Sequence, residues 1–169
     1  LEYKVTFVRN ITDIEDKIIE KALEEDISYK ELGTRVSKEF HNAYEELNCI
    51  KPDREPKATD FIDEIIKYIE ILIEKKFAYV TKSGVYYDIS KFDDYLLLSG
   101  RKKDDVISGT RVEIEEDKKS PEDFALWKFS RENEPSWESP WGKGRPGWHL
   151  ECSVMSKKFL GDKFDIHGG

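Results

Sequence analysis

The chain has 169 residues, a formal net charge of −8, and equal hydrophobic and charged fractions of 38% with 12% aromatic content. That apolar content is enough for a folded core, and the acidic balance excludes a wholly basic nucleic-acid-binding domain. No apolar run reaches the length of a membrane span, no secretory signal pattern opens the chain, and two distant cysteines, Cys49 and Cys152, make no disulfide framework; a reducing cytoplasmic setting follows.

Residues 3–8, rich in β-branched and aromatic side chains, predict a strand. Thr12 followed by Glu15 reads as a capping box, ahead of a stripe at Ile14, Ile18, Ala22 and Leu23. Ser28 with Glu31 repeats the pattern before Leu32, Val36, Phe40, Ala43, Tyr44 and Leu47; Asn48 can close that helix, and Pro52 and Pro56 mark a loop. A third helix is expected from about Thr59, burying Phe61, Ile62, Ile65, Ile66, Ile69, Leu72 and Ile73.

The period then changes. Residues 77–81 and 85–88 predict a β-hairpin, with Gly84 supplying a positive φ. A helical turn is expected over 93–98, and a charge-dense surface stretch over 100–120 with one β-like piece at 110–114. Phe124 to Trp127 return the chain to a core. Pro140, Gly142, Gly144 and Pro146 constrain a loop over 130–147, where Lys143 and Arg145 are candidates for phosphate or RNA backbone. Leu150, Val154, Met155 and Phe159 recur at helical spacing with Gly161 as the stop, and 164–167 predicts a buried strand. Strand–helix at one end and helix–strand at the other suggest a parallel-sheet domain interrupted by an insertion.

Cys152 and His167 are both metal-ligand types, yet no second cysteine lies near, so the chain holds at most part of a zinc site. The plain reading of Cys152 is a buried helical thiol, and of His167 a core histidine bonded to backbone. Trp148 serves equally as a pocket wall or a core aromatic. Cys49 reads as a helix-end residue.

Four segments carry a resemblance: Val8-Arg9-Asn10-Ile11-Thr12-Asp13; Asp123-Phe124-Ala125-Leu126-Trp127-Lys128; the run from Pro135 to Met155 through Gly-Arg-Pro-Gly-Trp-His-Leu-Glu-Cys; and Phe164-Asp165-Ile166-His167-Gly168-Gly169. In order and spacing they resemble the cysteinyl-tRNA synthetases, class I aminoacyl-tRNA synthetases. Leu150 and Val154 stand where that family often has Ile and Ala, which keeps size and character.

The resemblance implies an α/β fold: parts of a Rossmann-type catalytic domain interrupted by a mainly helical connective-peptide insertion with a β-hairpin. It places 1–25 in the nucleotide-binding fold, 26–130 in the insertion and 131–169 back in the catalytic fold. It implies an ATP-dependent ligase, using ATP with Mg2+, that activates cysteine and charges tRNA(Cys), as a cytoplasmic monomer away from membranes. The His-Ile-Gly-His and Lys-Met-Ser-Lys-Ser signatures of that family are absent from these residues, so the chain alone is expected to be inactive.

Cys152 then becomes one ligand of a Zn2+ ion whose other ligands lie outside the chain. Thr12, Trp148, His149 and His167 would line the cysteine site, His167 on the substrate's carboxylate side and His149 in a histidine cluster at the pocket floor. Zinc suits the task of separating cysteine from serine, because a soft thiolate is a far better ligand than an alcohol; discrimination on the order of 10⁴ follows when only one substrate completes the site. Two other readings compete: a cysteine ligase of mycothiol biosynthesis with similar zinc chemistry, and a non-catalytic helical binding module.

Overall fold

The computed structural model describes residues 3–98, 100, 117–132 and 134–168; the β-like piece expected at 110–114 lies outside them. The chain divides into two units, Leu1–Ile62 with Leu150–Gly169, and Asp63–His149.

In the first unit the expected strand over 3–8 does not form. Only two isolated parallel bridges occur, Val8 with Arg54 and Ile11 with Lys57, while Tyr3 and Val5 stand exposed. A strand needs a ladder on at least one edge, and the segment beside this one gives it only a few backbone bonds, including Arg9 N–H to the Arg54 carbonyl (3.0 Å) and Ile11 N–H to the Pro56 carbonyl (2.8 Å).

Helix α1 is Asp16–Glu24, entered through Glu15 with no side-chain cap. The capping box expected at Thr12 is therefore not made, and the phase of the helix shifts: Ile19 and Ala22 are buried, whereas Leu23 is 65% exposed. Helix α2, Tyr29–Glu46, starts where Ser28 Oγ accepts the Glu31 N–H. It packs on α1, and of its apolar stripe Leu32 alone is fully buried. Phe40 and Tyr44 instead flank the Arg9 guanidinium, which lies 4.6 Å and 4.0 Å from their ring centres. Arg9 also pairs with Glu55, and the other Glu55 oxygen meets His41 Nε2.

Three helices end in one motif. Asp26, Asn48 and Lys76 have positive φ, and the following N–H of Ile27, Cys49 and Phe77 returns to the carbonyls of Ala22, Tyr44 and Leu72. This Schellman closure satisfies carbonyls that a helix end leaves open. A turn of 3-10 helix, Ala58–Phe61, leads into α3, Ile62–Glu74. Within the expected stripe Ile62, Ile65 and Ile69 are buried, and Phe61, Ile66, Leu72 and Ile73 are half-buried.

The second unit is built on a four-stranded sheet in the order β1 (Ala78–Val80), β2 (Gly84–Tyr87), β3 (Phe124–Phe129), β4 (Gly144–Pro146). Every pairing in it is antiparallel, β1 and β2 lying where the hairpin was expected, so the described residues combine helices with an antiparallel sheet. Residues 124–129 and 144–146 are strands where the sequence suggests an apolar cluster and a loop.

Gly84 does not have a positive φ. A Cβ there would fall 2.2 Å from the Trp127 carbonyl oxygen, so glycine is needed for close approach to β3. Gly144 and Gly147 are hemmed in the same way by Lys128 O and Ala125 O. Val85, Leu126 and Trp127 form the buried centre, each such side chain contributing roughly 1.5–3 kcal/mol. Asp123, also buried, accepts from Tyr79 Oη at 2.6 Å and from the Ile89 N–H at 3.1 Å.

Helix α4, Trp148–Leu160, ends before Gly161, whose φ is +85°. Residues 164–167 are not a strand. They are exposed irregular chain, with Ile166 at 87% exposure, because no pairing partner lies beside them among the described residues.

Two outcomes follow for stability. Lys76 holds a left-handed conformation on the surface, which costs an L side chain more than glycine's added chain entropy, so Lys76→Gly should raise the unfolding free energy by about 0.5–1 kcal/mol in urea titrations. Burial tends to raise the Glu55 pKa, but hydrogen bonds from Arg9 and His41 outweigh it and the net shift is downward. Between that lowered value and the unfolded value of ~4.3, the unfolded chain binds more protons. Stability from Glu55 is thus present above that window and lost as pH falls through it, and Glu55→Gln should flatten the acid limb of a stability–pH curve.

Candidate functional site

Thr12 lies in the first unit, on the extended segment just before α1, and is exposed. Its place is set by Asp13. One Asp13 oxygen accepts the Thr59 N–H at 3.0 Å and the other the Thr59 hydroxyl at 2.6 Å, so a carboxylate 46 residues away in sequence caps the 3-10 turn and pins residue 12. Thr12 Oγ1 receives a hydrogen bond from Asn10 Nδ2 at 3.2 Å.

Glu151 of α4 is fully buried, and neither of its carboxyl oxygens has a hydrogen-bond partner. Burial pushes the Glu151 pKa up to about 8; Thr12 pulls it back, and the carboxylates of Asp13 and Glu15 push upward again. At neutral pH the group is mostly protonated, which avoids an unpaired charge in the core.

Cys152 follows in the same unit and is half-buried. Burial raises its pKa, and Glu151 adds to that, so the chain itself favours the thiol and a thiolate there calls for a bound cation. Among the described residues no group of three or more His, Cys, Asp and Glu is placed to hold a metal ion. Cys152 is the right kind of donor for zinc, but it is a single one. His167, also in the first unit, is exposed and touches the Phe164 ring edge-on, centroids 6.1 Å apart; the buried position expected for it is not found.

Trp148 and His149 belong to the second unit. Trp148 is 61% exposed, which removes its reading as a core aromatic. His149 lies against it, ring centres 4.1 Å apart, and against Phe124 at 5.0 Å; Phe124 in turn stacks on Tyr87. Partial desolvation lowers the His149 pKa, although the residue remains exposed. Of the two loop cations, Lys143 is exposed and pairs with Glu138, while Arg145 is buried beside Glu134 and is not offered to a phosphate.

Within the first unit Thr12 stands on the extended segment before α1, Cys152 on α4 and His167 on exposed irregular chain. Sequence reasoning missed Asn10, Asp13 and Glu151. Glu151 had a readable signal, since Val154 and Met155 stand three and four residues on and are both buried, which puts the glutamate on the core face of the helix.

The family described as tRNA synthetases class I (C) catalytic domain matches residues 1–169, and the chain belongs to it. Its curated relatives include a cysteine–tRNA ligase from Pelagibacter ubique (strain HTCC1062), 58% identical over 98% of this chain and 37% of the relative. Another, from Desulfotalea psychrophila, is 54% identical over 100% of this chain and 35% of the relative. A third, from Hydrogenovibrio crunogenus, is 56% identical over 100% of this chain and 37% of the relative. The chain therefore spans little more than a third of the length of these proteins.

Because Asp13 anchors both Thr12 and the 3-10 turn, Asp13→Ala should lower stability by about 2–3 kcal/mol, the range for losing bonds to a charged acceptor. Chemical denaturation of the two proteins checks this, and an unchanged midpoint would mean the clamp carries no weight.

Proposed function

We propose that this chain is the part of a cysteine–tRNA ligase that recognises the amino acid. The parent protein activates cysteine with ATP and Mg2+ and transfers it to tRNA(Cys). The observation that carries the reading is the match to cysteine–tRNA ligases along the chain at more than half identity. On this reading 1–25 and 131–169 belong to a Rossmann-type nucleotide-binding fold, and 26–130 to the connective-peptide insertion. No helix among the described residues is long and apolar enough to cross a membrane, and we place the parent in the cytoplasm as a monomer.

Cys152 would supply one ligand to a zinc ion, with the remaining ligands elsewhere in the longer protein. That ion, when bound, stabilises thiolates over alcohols and so separates cysteine from serine. Thr12 presents an exposed hydroxyl to the substrate's polar end, and Asp13 fixes where that hydroxyl stands. His167 serves the carboxylate side. Trp148, exposed and backed by His149, walls the pocket. The phosphate chemistry is mainly positioning and charge stabilisation and falls to residues outside this chain, so the 169 residues alone are expected to form no adenylate.

The test is cysteine- against serine-dependent ATP–pyrophosphate exchange by the parent protein, purified with zinc. Cysteine should be preferred on the order of 10⁴-fold, and Cys152→Ala should cost roughly 100-fold or more with cysteine while the protein stays folded. A tRNA charging assay then separates a synthetase from a ligase acting on an amino sugar. A folded, zinc-loaded parent with no cysteine-dependent exchange would leave a binding module as the better account.

A further inference from the structure

Trp148 opens α4 and is 61% exposed, so little surrounds the indole to decide its rotamer. Its backbone is settled by β3. The Gly147 N–H donates to the Leu126 carbonyl at 2.9 Å, and a Cβ at residue 147 would collide with the Ala125 carbonyl oxygen. A fixed backbone still leaves the χ angles of an exposed side chain to choose among rotamers. A pocket wall made from such a side chain must be ordered each time a ligand binds, unless something holds it beforehand.

The same strand supplies a ring that can do this. Phe124, half-buried on β3, stands in register with Tyr87 of β2, and their rings lie 5.1 Å apart at an interplanar angle of 16°. Tyr87 stacks in turn on Phe77, at 9°. Phe124 also meets the His149 ring, centres 5.0 Å apart and planes inclined at 59°, and His149 meets the Trp148 indole at 4.1 Å. Tilted and offset contacts of this kind are the ones that aromatic quadrupoles favour. The rings form one row, Tyr87, Phe124, His149, Trp148, anchored in the sheet at one end and exposed at the other.

We propose that Phe124 is a positioning residue for Trp148: it holds the His149 ring, and that ring holds the indole in the orientation that walls the cysteine pocket. The inference rests on the pocket role proposed for Trp148. Phe124 acts on cysteine affinity only through the two rings beyond it. β3 thereby sets both the backbone of the wall, through Gly147, and its side chain.

The experiment uses the parent protein, purified with zinc and labelled with fluorotryptophan, the Trp148 fluorine resonance being the one lost in Trp148→Leu. Exchange assays give kcat and KM for cysteine and for ATP, with a melting curve for each variant. Phe124→Leu keeps apolar bulk and removes the ring. It should raise KM for cysteine roughly 3–10-fold, the range one aromatic pair supplies, and shift the Trp148 resonance. KM for ATP and kcat should stay within about twofold, because only binding of the amino acid is touched. Phe124→Tyr retains the ring and should restore both readouts. Placed in Trp148→Leu, Phe124→Leu should add less than about twofold, since its effect passes through the indole.

His149→Leu, at an exposed position, carries the test if Phe124→Leu does not fold; it should raise KM for cysteine alone and lose that effect in Trp148→Leu. A folded Phe124→Leu with the parental cysteine KM or an unmoved Trp148 resonance overturns the positioning role. So does an equal rise in KM for cysteine and ATP, or an effect of either variant that persists in full without the indole. Trp148→Leu with the parental KM for cysteine overturns the pocket role of Trp148 instead, and a parent without cysteine-dependent exchange the functional reading, each taking this inference with it.

Discussion

The first unit turns on one carboxylate. Asp13 accepts both the N–H and the hydroxyl of Thr59, and each side of that clamp needs the other. The 3-10 turn Ala58–Phe61 begins with open N–H groups that no local side chain caps, and the extended segment over 7–13 has only scattered backbone bonds to hold it. Binding them to each other satisfies the turn and fixes the segment in one step. The same clamp explains why α1 starts at Asp16 instead of at Thr12: with Asp13 committed to Thr59, the chain must finish its extended course before it can coil. Thr12 is left outside the helix and exposed, with its hydroxyl free of capping duty.

What could be seen in the sequence was mostly what is decided locally. Ser28 caps α2, Asn48 closes it in a left-handed conformation and Gly161 ends α4, each because a helix end makes a chemical demand on one or two neighbouring residues. Strands are a different matter. Residues 3–8 and 164–167 have the right side chains and no ladder to join, whereas 144–146, broken by glycine and proline, is a strand because β3 lies beside it. Gly84 was legible as a necessary glycine and its reason was not. A turn suggests positive φ; the actual demand is the Trp127 carbonyl, set by a residue far along the chain. The site divides in the same way. Cys152 stands out by type and Thr12 through the resemblance, while the role of Asp13 arises only when distant segments meet.

The chain has an excess of acidic residues, and the fold treats its buried and half-buried ones in two ways. Asp123 receives the Tyr79 hydroxyl and two N–H groups. Asp88 bonds Ser90 and pairs with Lys119. Asp117, at the β1–β2 turn, takes the N–H groups of Lys82 and Ser83. In each case donors gather round the carboxylate, and those of Asp88 and Asp117 titrate below their ordinary value. Glu151 alone of the fully buried carboxyls lacks this treatment among the described residues, and burial drives it toward the neutral form. It stands in the first turn of α4, one residue before Cys152. A core designed only for packing would put leucine there.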